Sequence, residues 1–237
     1  MLIQLRDVSQ RYGIKNVLSS CTLNIDRGQF VALVGPSGCG KSTLLRFILG
    51  TNQPTTGLVL LDGKAISGPT REVGIVYQHY SLYPFLTALD NVAFGLMLDR
   101  TSIPFRLFRP FAWRSLRQQY RAAASCMLDE FGLGHVLHSY PGELSGGQRQ
   151  RVAIAQSLVM QPRVLLLDEP FGALDEATRE ELQRYLLQLY QKNVAAKQKG
   201  QPPPYTIVFV THELNEAFYL ADRVVGLSRY WRDGDVG

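Results

Sequence analysis

Short, almost unbroken apolar runs recur along the chain, with helical patterns between them. Phe30–Val34, Val164–Leu167 and Thr206–Val210 carry apolar side chains at nearly every position. This pattern is typical of strands buried on both faces, since a half-exposed strand would alternate apolar and polar residues. Because helical segments separate the runs, we predict an α/β fold with a mostly parallel central sheet.

Shorter signals predict the remaining elements. Asp62-Gly63 after an apolar run is typical of a hairpin turn, which indicates a small antiparallel β subdomain beside the main sheet. Leu182, Leu186 and Leu189 repeat at helical spacing, which indicates an amphipathic helix. The further predictions are strands at 2–8, 21–25, 58–61, 73–77 and 223–227, and helices at 41–49, 176–192 and 213–220.

The middle of the chain interrupts the alternation of strand and helix. Residues 86–159 are mostly helical in pattern, and we interpret them as a helical subdomain inserted into a single domain. The flanking segments 1–85 and 160–237 then form one core. Residues 192–204 are polar and end in three prolines, so we predict a linker between helix and strand there. We also expect no C-terminal regulatory domain, because the chain ends soon after its last strand.

The composition is that of an ordinary folded protein, with 46% hydrophobic and 19% charged residues. The net charge of +5 fits either a solvated surface with excess arginine or an anionic partner. Cys21, Cys39 and Cys126 form no CxxC pair, so neither a zinc site nor a disulfide framework is indicated. The first residues lack a basic region followed by an apolar run, so we expect no signal peptide. No apolar stretch reaches the ~18 residues needed to span a bilayer, so any work at a membrane is expected from its surface.

A glycine-rich turn follows the first buried strand and precedes a helix. Residues 35–42 match GxxxxGK[ST] in full. Glycines let backbone N–H groups surround phosphate oxygens, and the helix N-terminus adds the positive end of its dipole. Lys41 can contact the β- and γ-phosphates, and Ser42 can ligate Mg²⁺, which prefers oxygen. The predicted nucleotide-binding residues of this segment are Gly35, Pro36, Ser37, Gly38, Cys39, Gly40, Lys41, Ser42 and Thr43.

Two acidic residues stand at the end of a second buried strand. Asp168 and Glu169 follow Val164–Leu167 directly. Ligands bind at the carboxyl ends of the strands in open α/β sheets. We predict that Asp168 holds Mg²⁺, through water, and that Glu169 is the general base for an attacking water.

A second anion-binding turn is present at the start of another helix. Ser145, Gly146, Gly147 and Gln148 belong to the pentapeptide LSGGQ, and a Ser-Gly-Gly turn at a helix N-terminus offers a hydroxyl and backbone N–H groups. A helix cap would explain the serine alone. It would not explain two phosphate-type sites in one chain, so we infer that the second site serves a nucleotide held by another copy.

The order of these motifs resembles the nucleotide-binding subunit of ABC transporters over nearly the whole chain, and LSGGQ is the most specific part. The resemblance implies that Tyr12 stacks on adenine and that His212 contacts the γ-phosphate. It implies that Gln78 touches Mg²⁺ and the water while facing a permease, and that residues 173–175 link the two sites of a dimer. The predicted catalytic residues are Lys41, Gln78, Glu169 and His212, Asp175 joins the nucleotide-binding set, and the Mg²⁺ ligands are Ser42, Gln78 and Asp168.

The same resemblance implies partners and a location. Two copies are expected to enclose two ATP molecules with Mg²⁺ and to drive transmembrane permease subunits from the cytoplasmic face of the inner membrane. A groove near Gln78 and residues 80–89 would receive a coupling helix of the permease. The stretches 49–57 and 83–96 resemble importers of nitrate, sulfonates and taurine, which implies a solute-binding protein and no nucleic acid.

Two other functions share these motifs. ABC ATPases of DNA repair or chromosomes insert long heptad coiled coils or zinc motifs, and those of ribosomes carry two cassettes. This chain has one cassette, no sustained heptads and no cysteine pairs. A regulatory subunit that does not hydrolyse ATP is disfavoured because Glu169 and His212 are intact. We therefore predict a transport ATPase.

The segment Arg100–Arg121 combines six arginines with interleaved aromatic residues and no acid. Pro104 and Pro110 interrupt any continuous helix before about residue 111. Such a mixture suits an anionic membrane surface or a groove in a partner protein. The alternative is a helix packed on its own subdomain with its arginines in solvent.

Overall fold

The computed structural model describes residues 1–78, 81–101, 106, 108–172 and 174–228, and places them in two sheets and a group of helices. The helices are α1 (Lys41–Leu49), α2 (Ala88–Arg100), α3 (Pro110–Glu130), α4 (Gly146–Leu158), α5 (Glu176–Gln198) and α6 (Leu214–Leu220). The strands are β1 (Ile3–Tyr12), β2 (Lys15–Ile25), β3 (Phe30–Val34), β4 (Thr56–Leu61), β5 (Lys64–Ala65), β6 (Val73–Val76), β7 (Val164–Asp168), β8 (Thr206–Thr211) and β9 (Arg223–Gly226).

The larger sheet is parallel in every pairing and has the strand order β6-β7-β8-β3-β9. Its central strands are buried at nearly every position, as their apolar runs predict. Helices cover both faces, and the α/β prediction is confirmed. Because the strands are parallel, the segments that follow β3, β6, β7 and β8 meet at one edge of the sheet.

The smaller sheet is antiparallel, with the order β2-β1-β4-β5. Its hairpin follows the predicted turn, since Leu61 pairs with Lys64 and both Asp62 and Gly63 have positive φ, the geometry of a type I′ turn. The prediction of a strand limited to residues 21–25 was wrong, because β2 begins at Lys15. Irregularities in its pairing with β1 interrupt the alternation of side chains, so the sequence pattern conceals the first half of the strand.

The helical part of the chain packs on the parallel sheet through α4. Val152, Ala153, Ile154 and Ala155 of α4 are buried. Helix α3 buries Tyr120, Ala124 and Leu128 in the same core cluster. Among the described residues, no helix is both long and apolar enough to cross a bilayer.

Helix α5 extends to Gln198, so the prediction of a linker beginning at residue 192 was wrong for its first half. Asn193 is fully buried. Its amide donates to the carbonyls of Gly28 and Tyr205 and accepts from the Tyr205 N–H. These contacts hold the polar end of the helix against the strands, so only the segment 199–205 connects α5 to β8.

Candidate functional site

The glycine turn after β3 is fixed by close contacts that exclude larger residues. A Cβ on Gly35 would lie 2.3 Å from the Leu227 carbonyl oxygen, and one on Gly40 would lie 2.6 Å from Leu18 Cδ2. Gly40 also has a φ of 103°, which L side chains rarely adopt. The turn therefore lies directly against the neighbouring backbone, and α1 begins at its end with its N–H groups free for an anion.

Lys41 is buried at the base of this turn. Its Nζ donates to the carbonyls of Gly35, at 2.6 Å, and Pro36, at 3.1 Å. The ammonium group is thus held at the rim of a cavity of about 290 Å³. The cavity is lined by Tyr12, Lys15, Val17, Ser37, Gly38, Gly40, Lys41, Ser42, Thr43, Glu169 and His212.

Two of the three side chains predicted to ligate Mg²⁺ are in contact. The Ser42 hydroxyl donates to Asp168 Oδ1 at 3.1 Å, although 126 residues separate them. Burial raises the pKa of the Asp168 carboxyl, and the neighbouring charge of Glu169 raises it further. A paired hydroxyl and a half-buried carboxylate fit Mg²⁺, whose charge would compensate for the desolvation of Asp168.

Glu169 and His212 meet at the ends of adjacent strands β7 and β8. Glu169 has a φ of 51°, and its N–H donates to the Val210 carbonyl. His212 Nε2 lies 2.5 Å from Glu169 Oε1, while its Nδ1 lies 3.2 Å from the Gly35 carbonyl oxygen. His212 therefore connects the acidic residue to the glycine turn, at the mouth of the cavity.

Gln78 and Tyr12 both lie near this centre. A Cβ on Gly172 would be 3.5 Å from Gln78 Nε2 and 4.0 Å from Glu169 Oε2, so Gln78 is near the acidic end of the site. Tyr12 is 46% exposed and accepts a hydrogen bond from Asn52. Its ring is available at the cavity wall.

The Ser145–Gln148 turn forms the start of α4, away from this cavity. The Ser145 hydroxyl accepts from the Gln148 N–H, and Gln148 Oε1 accepts from the Ser145 N–H, which is a complete capping box. Within the described part of the chain, none of residues 145–148 lines the cavity around Lys41. Ser145 is exposed, Gly146 and Gln148 are partly exposed, and Gly147 is buried.

The first turn of α5 lies against this turn. Asp175 caps α5 by accepting from the Thr178 N–H at 3.0 Å and hydroxyl at 2.8 Å, and these bonds lower the pKa of its carboxyl. A Cβ on Gly147 would lie 1.8 Å from Thr178 Cγ2. Two segments predicted to act at the nucleotide therefore touch each other through Thr178. Ala173 lies outside the described residues, as do His79 and Tyr80.

The sequence analysis missed a buried network behind His212. Glu216 is buried in α6, accepts a hydrogen bond from the Thr211 hydroxyl and has its Oε1 3.6 Å from Arg179 Nε. Burial raises the pKa of the Glu216 carboxyl. An acid at a core-facing helix position was the available signal. The network connects the strand end that carries His212 to the helix that Asp175 caps.

This fold and site define an ATP-binding cassette, and the chain belongs to the ABC transporter family, whose sequence model matches residues 18–172. It is 44% identical, over 95% of its length, to a sulfate/thiosulfate import ATP-binding protein CysA of Photorhabdus laumondii. It is 43% identical, over 97% of its length, to the protein of that name from Escherichia coli K12. The chain spans 58% of the length of these two relatives.

Solved structures show the same architecture. The dimeric bacterial ABC transporter cassette MJ0796 is 33% identical, with a TM-score of 0.75 and coverage of 96% of this chain and 94% of that one. The cassette MJ0796 in a dimeric post-hydrolysis state, bound to ADP and phosphate, is 31% identical with the same TM-score, and the match covers 95% of this chain and 94% of that one.

Proposed function

We propose that this chain is the ATP-hydrolysing subunit of an importer for a small oxyanion. The convergence of Lys41, Ser42, Asp168, Glu169 and His212 around one cavity carries the proposal, because these are the groups that phosphoryl transfer to water requires. The sulfate/thiosulfate importers among the relatives support the transport role.

Each residue has a chemical task in this proposal. Lys41 and the N–H groups of the glycine turn bind phosphate oxygens, and Ser42 with Asp168 holds Mg²⁺, which supplies charge neutralisation when bound. Glu169 orients and polarises the attacking water as general base. His212, already in contact with Glu169, contacts the γ-phosphate, Gln78 contacts Mg²⁺ and the water, and Tyr12 stacks on adenine.

A second copy of the chain completes each site. Its Ser145 hydroxyl and the N–H groups of Gly146 and Gly147 contact the terminal phosphate from the opposite side, with Gln148 beside them. Two observations support this: the Ser145 side chain is exposed, and none of residues 145–148 lines the Lys41 cavity within the described part of its own chain. Asp175, which caps the helix packed against that turn, links the two sites. Closure around ATP and opening after hydrolysis then provide two states with different ligand affinity.

The solute class and partners follow from the relatives. Sulfate and thiosulfate are the first candidates, and the nitrate, sulfonate and taurine importers that the sequence resembles transport comparable small anions. The chain would act peripherally at the cytoplasmic face of the membrane with permease subunits and a solute-binding protein. The groove near Gln78 would receive the permease, although Tyr80 lies outside the described residues.

The test combines Glu169→Gln with a transport assay. The chain is expressed with the membrane subunits that purify with it, and ATP turnover and uptake of labelled sulfate, thiosulfate, nitrate and taurine are measured in vesicles. We expect uptake of one of these anions, and Glu169→Gln to abolish turnover and uptake by at least about 100-fold while ATP binding is retained. Unchanged turnover in this variant would contradict the assignment of Glu169, and failure of all four anions to enter would contradict the solute class.

A further inference from the structure

The five arginines between residues 101 and 121 divide into two groups in the structure. Arg106 is directed inward, where it donates to Thr101 and the Met97 carbonyl and lies 4.9 Å from the centre of the Trp113 ring. Arg121 pairs with Asp90. These two side chains attach the segment to α2, and so serve the packing of the helical subdomain.

The other group faces solvent at the start of α3. Arg109, Arg114 and Arg117 are exposed and form no ion pair with any described residue. Phe108 is 79% exposed and Phe111 is 89% exposed, which is unusual for side chains of this size. We call these five residues the arginine–phenylalanine patch.

The patch is continuous and of one charge sign. Residues 111, 114 and 117 follow each other at a spacing of three, so consecutive members of the series are neighbours on the surface of α3. Tyr120, the next residue in the series, is buried, so the exposed series ends at Arg117. No aspartate or glutamate occurs between residues 100 and 128. The first turn of α3 also has no acid and no side-chain cap, so its N–H groups add to the positive potential.

We propose that the arginine–phenylalanine patch binds the anionic surface of the lipid bilayer. Three unpaired guanidinium groups match lipid phosphates, and two exposed phenyl rings beside them can enter the interface between headgroups and acyl chains. On a helix face that only contacts water, charged side chains would be expected without two highly exposed phenylalanines. The presence of Phe108 and Phe111 beside the arginines therefore favours membrane binding. This inference rests on the peripheral location proposed above. The contact would hold the helical subdomain against the membrane and would take no part in ATP hydrolysis.

The experiment uses the purified full chain and vesicles. Cosedimentation is measured with phosphatidylcholine vesicles and with vesicles that also contain phosphatidylglycerol, at low and high salt. We expect binding to the anionic vesicles only, weakened by salt. Arg109→Gln, Arg114→Gln and Arg117→Gln together should lower the partition coefficient on the order of 100-fold, from about fivefold per arginine near an anionic surface. Phe111→Ala should weaken binding less and leave its salt dependence unchanged.

The control removes the same charge elsewhere. Arg27→Gln, Lys64→Gln and Lys199→Gln alter three exposed cations away from the patch and should leave vesicle binding close to that of the wild type. ATP turnover and circular dichroism should be normal in both triple variants. Equal loss in the control, or wild-type binding by the patch variant, would overturn the proposal. Patch-dependent binding to membranes containing the permease but not to protein-free anionic vesicles would also overturn it and assign the patch to a protein partner.

Discussion

Asp168 shows how the environment of one residue sets its chemistry. Burial and the charge of Glu169 raise the pKa of its carboxyl, so in the folded chain it takes up a proton at a higher pH than an exposed aspartate does. Because Mg²⁺ requires the carboxylate form, acidification should displace the metal before it affects most other acids. The same raised pKa means that ionised Asp168 opposes folding at neutral pH.

Two opposite effects are therefore expected of Asp168→Asn. The Mg²⁺-dependent nucleotide affinity should fall by more than about 10-fold. In the wild type this affinity should decrease at acid pH, and in the variant it should not, because the carboxyl group that takes up the proton has been removed. The free energy of unfolding of the nucleotide-free chain should instead rise at neutral pH, where the wild type must keep a desolvated charge. Nucleotide titration and urea unfolding, each repeated across pH, measure the two effects. A variant that lost stability, or that bound Mg²⁺ nucleotide normally, would contradict this account.

Helices α4 and α5 contact each other near their N-termini. Gly147 lies against Thr178, which in turn is bonded to Asp175, so the first turns of α4 and α5 cannot move independently over short distances. Gly147→Ala should cost about 1–3 kcal/mol of stability through overpacking, and it should reduce ATP turnover because the Ser145 turn is displaced.

Thr178→Ser provides the matched control for Gly147→Ala. Serine removes the Cγ2 atom that the new methyl group would strike, yet keeps the hydroxyl bonded to Asp175. The double variant should recover part of the lost turnover and stability, and Thr178→Ser alone should behave nearly as wild type. If the double variant were no better than Gly147→Ala, the steric explanation would be wrong.

The end of α5 depends on Asn193. Asn193→Ala removes three hydrogen bonds to Gly28 and Tyr205 in a buried position. We expect the free energy of unfolding to fall by about 3 kcal/mol, at roughly 1 kcal/mol for each bond. Urea unfolding monitored by circular dichroism provides the measurement, and Gln191→Ala, at an exposed neighbouring position, should have little effect. An equal loss in both variants would refute the role of the buried amide.

An element could be predicted from the sequence where residues close together in the chain determine it. The glycine turn at Gly35–Ser42 and the strand ending at Asp168 carry their signal in consecutive residues, so fold class and site were accessible from the sequence. The length of α5 was not, because Asn193 has a polar side chain whose partners lie 165 and 12 residues away. The network of Glu216 with Arg179 was missed for the same reason, since only tertiary packing brings the two together.

At the scale of the whole molecule, the proposed function requires that two chains share each active site. Within the described part of one chain, none of residues 145–148 lines the Lys41 cavity, and the Ser145 side chain is exposed. Since a two-fold interface places the same surface of each chain against its partner, one pairing can complete both sites at once.

Mixing two inactive variants tests this claim directly. Lys41→Ala and Ser145→Ala should each abolish most ATP turnover when assayed alone. In an equal mixture, half of the dimers contain one chain of each kind, and each of these has one intact site, so turnover should recover to about a quarter of the wild-type rate. If Lys41 and Ser145 act within the same chain, no intact site can form, and a mixture no more active than the two variants alone would contradict the account.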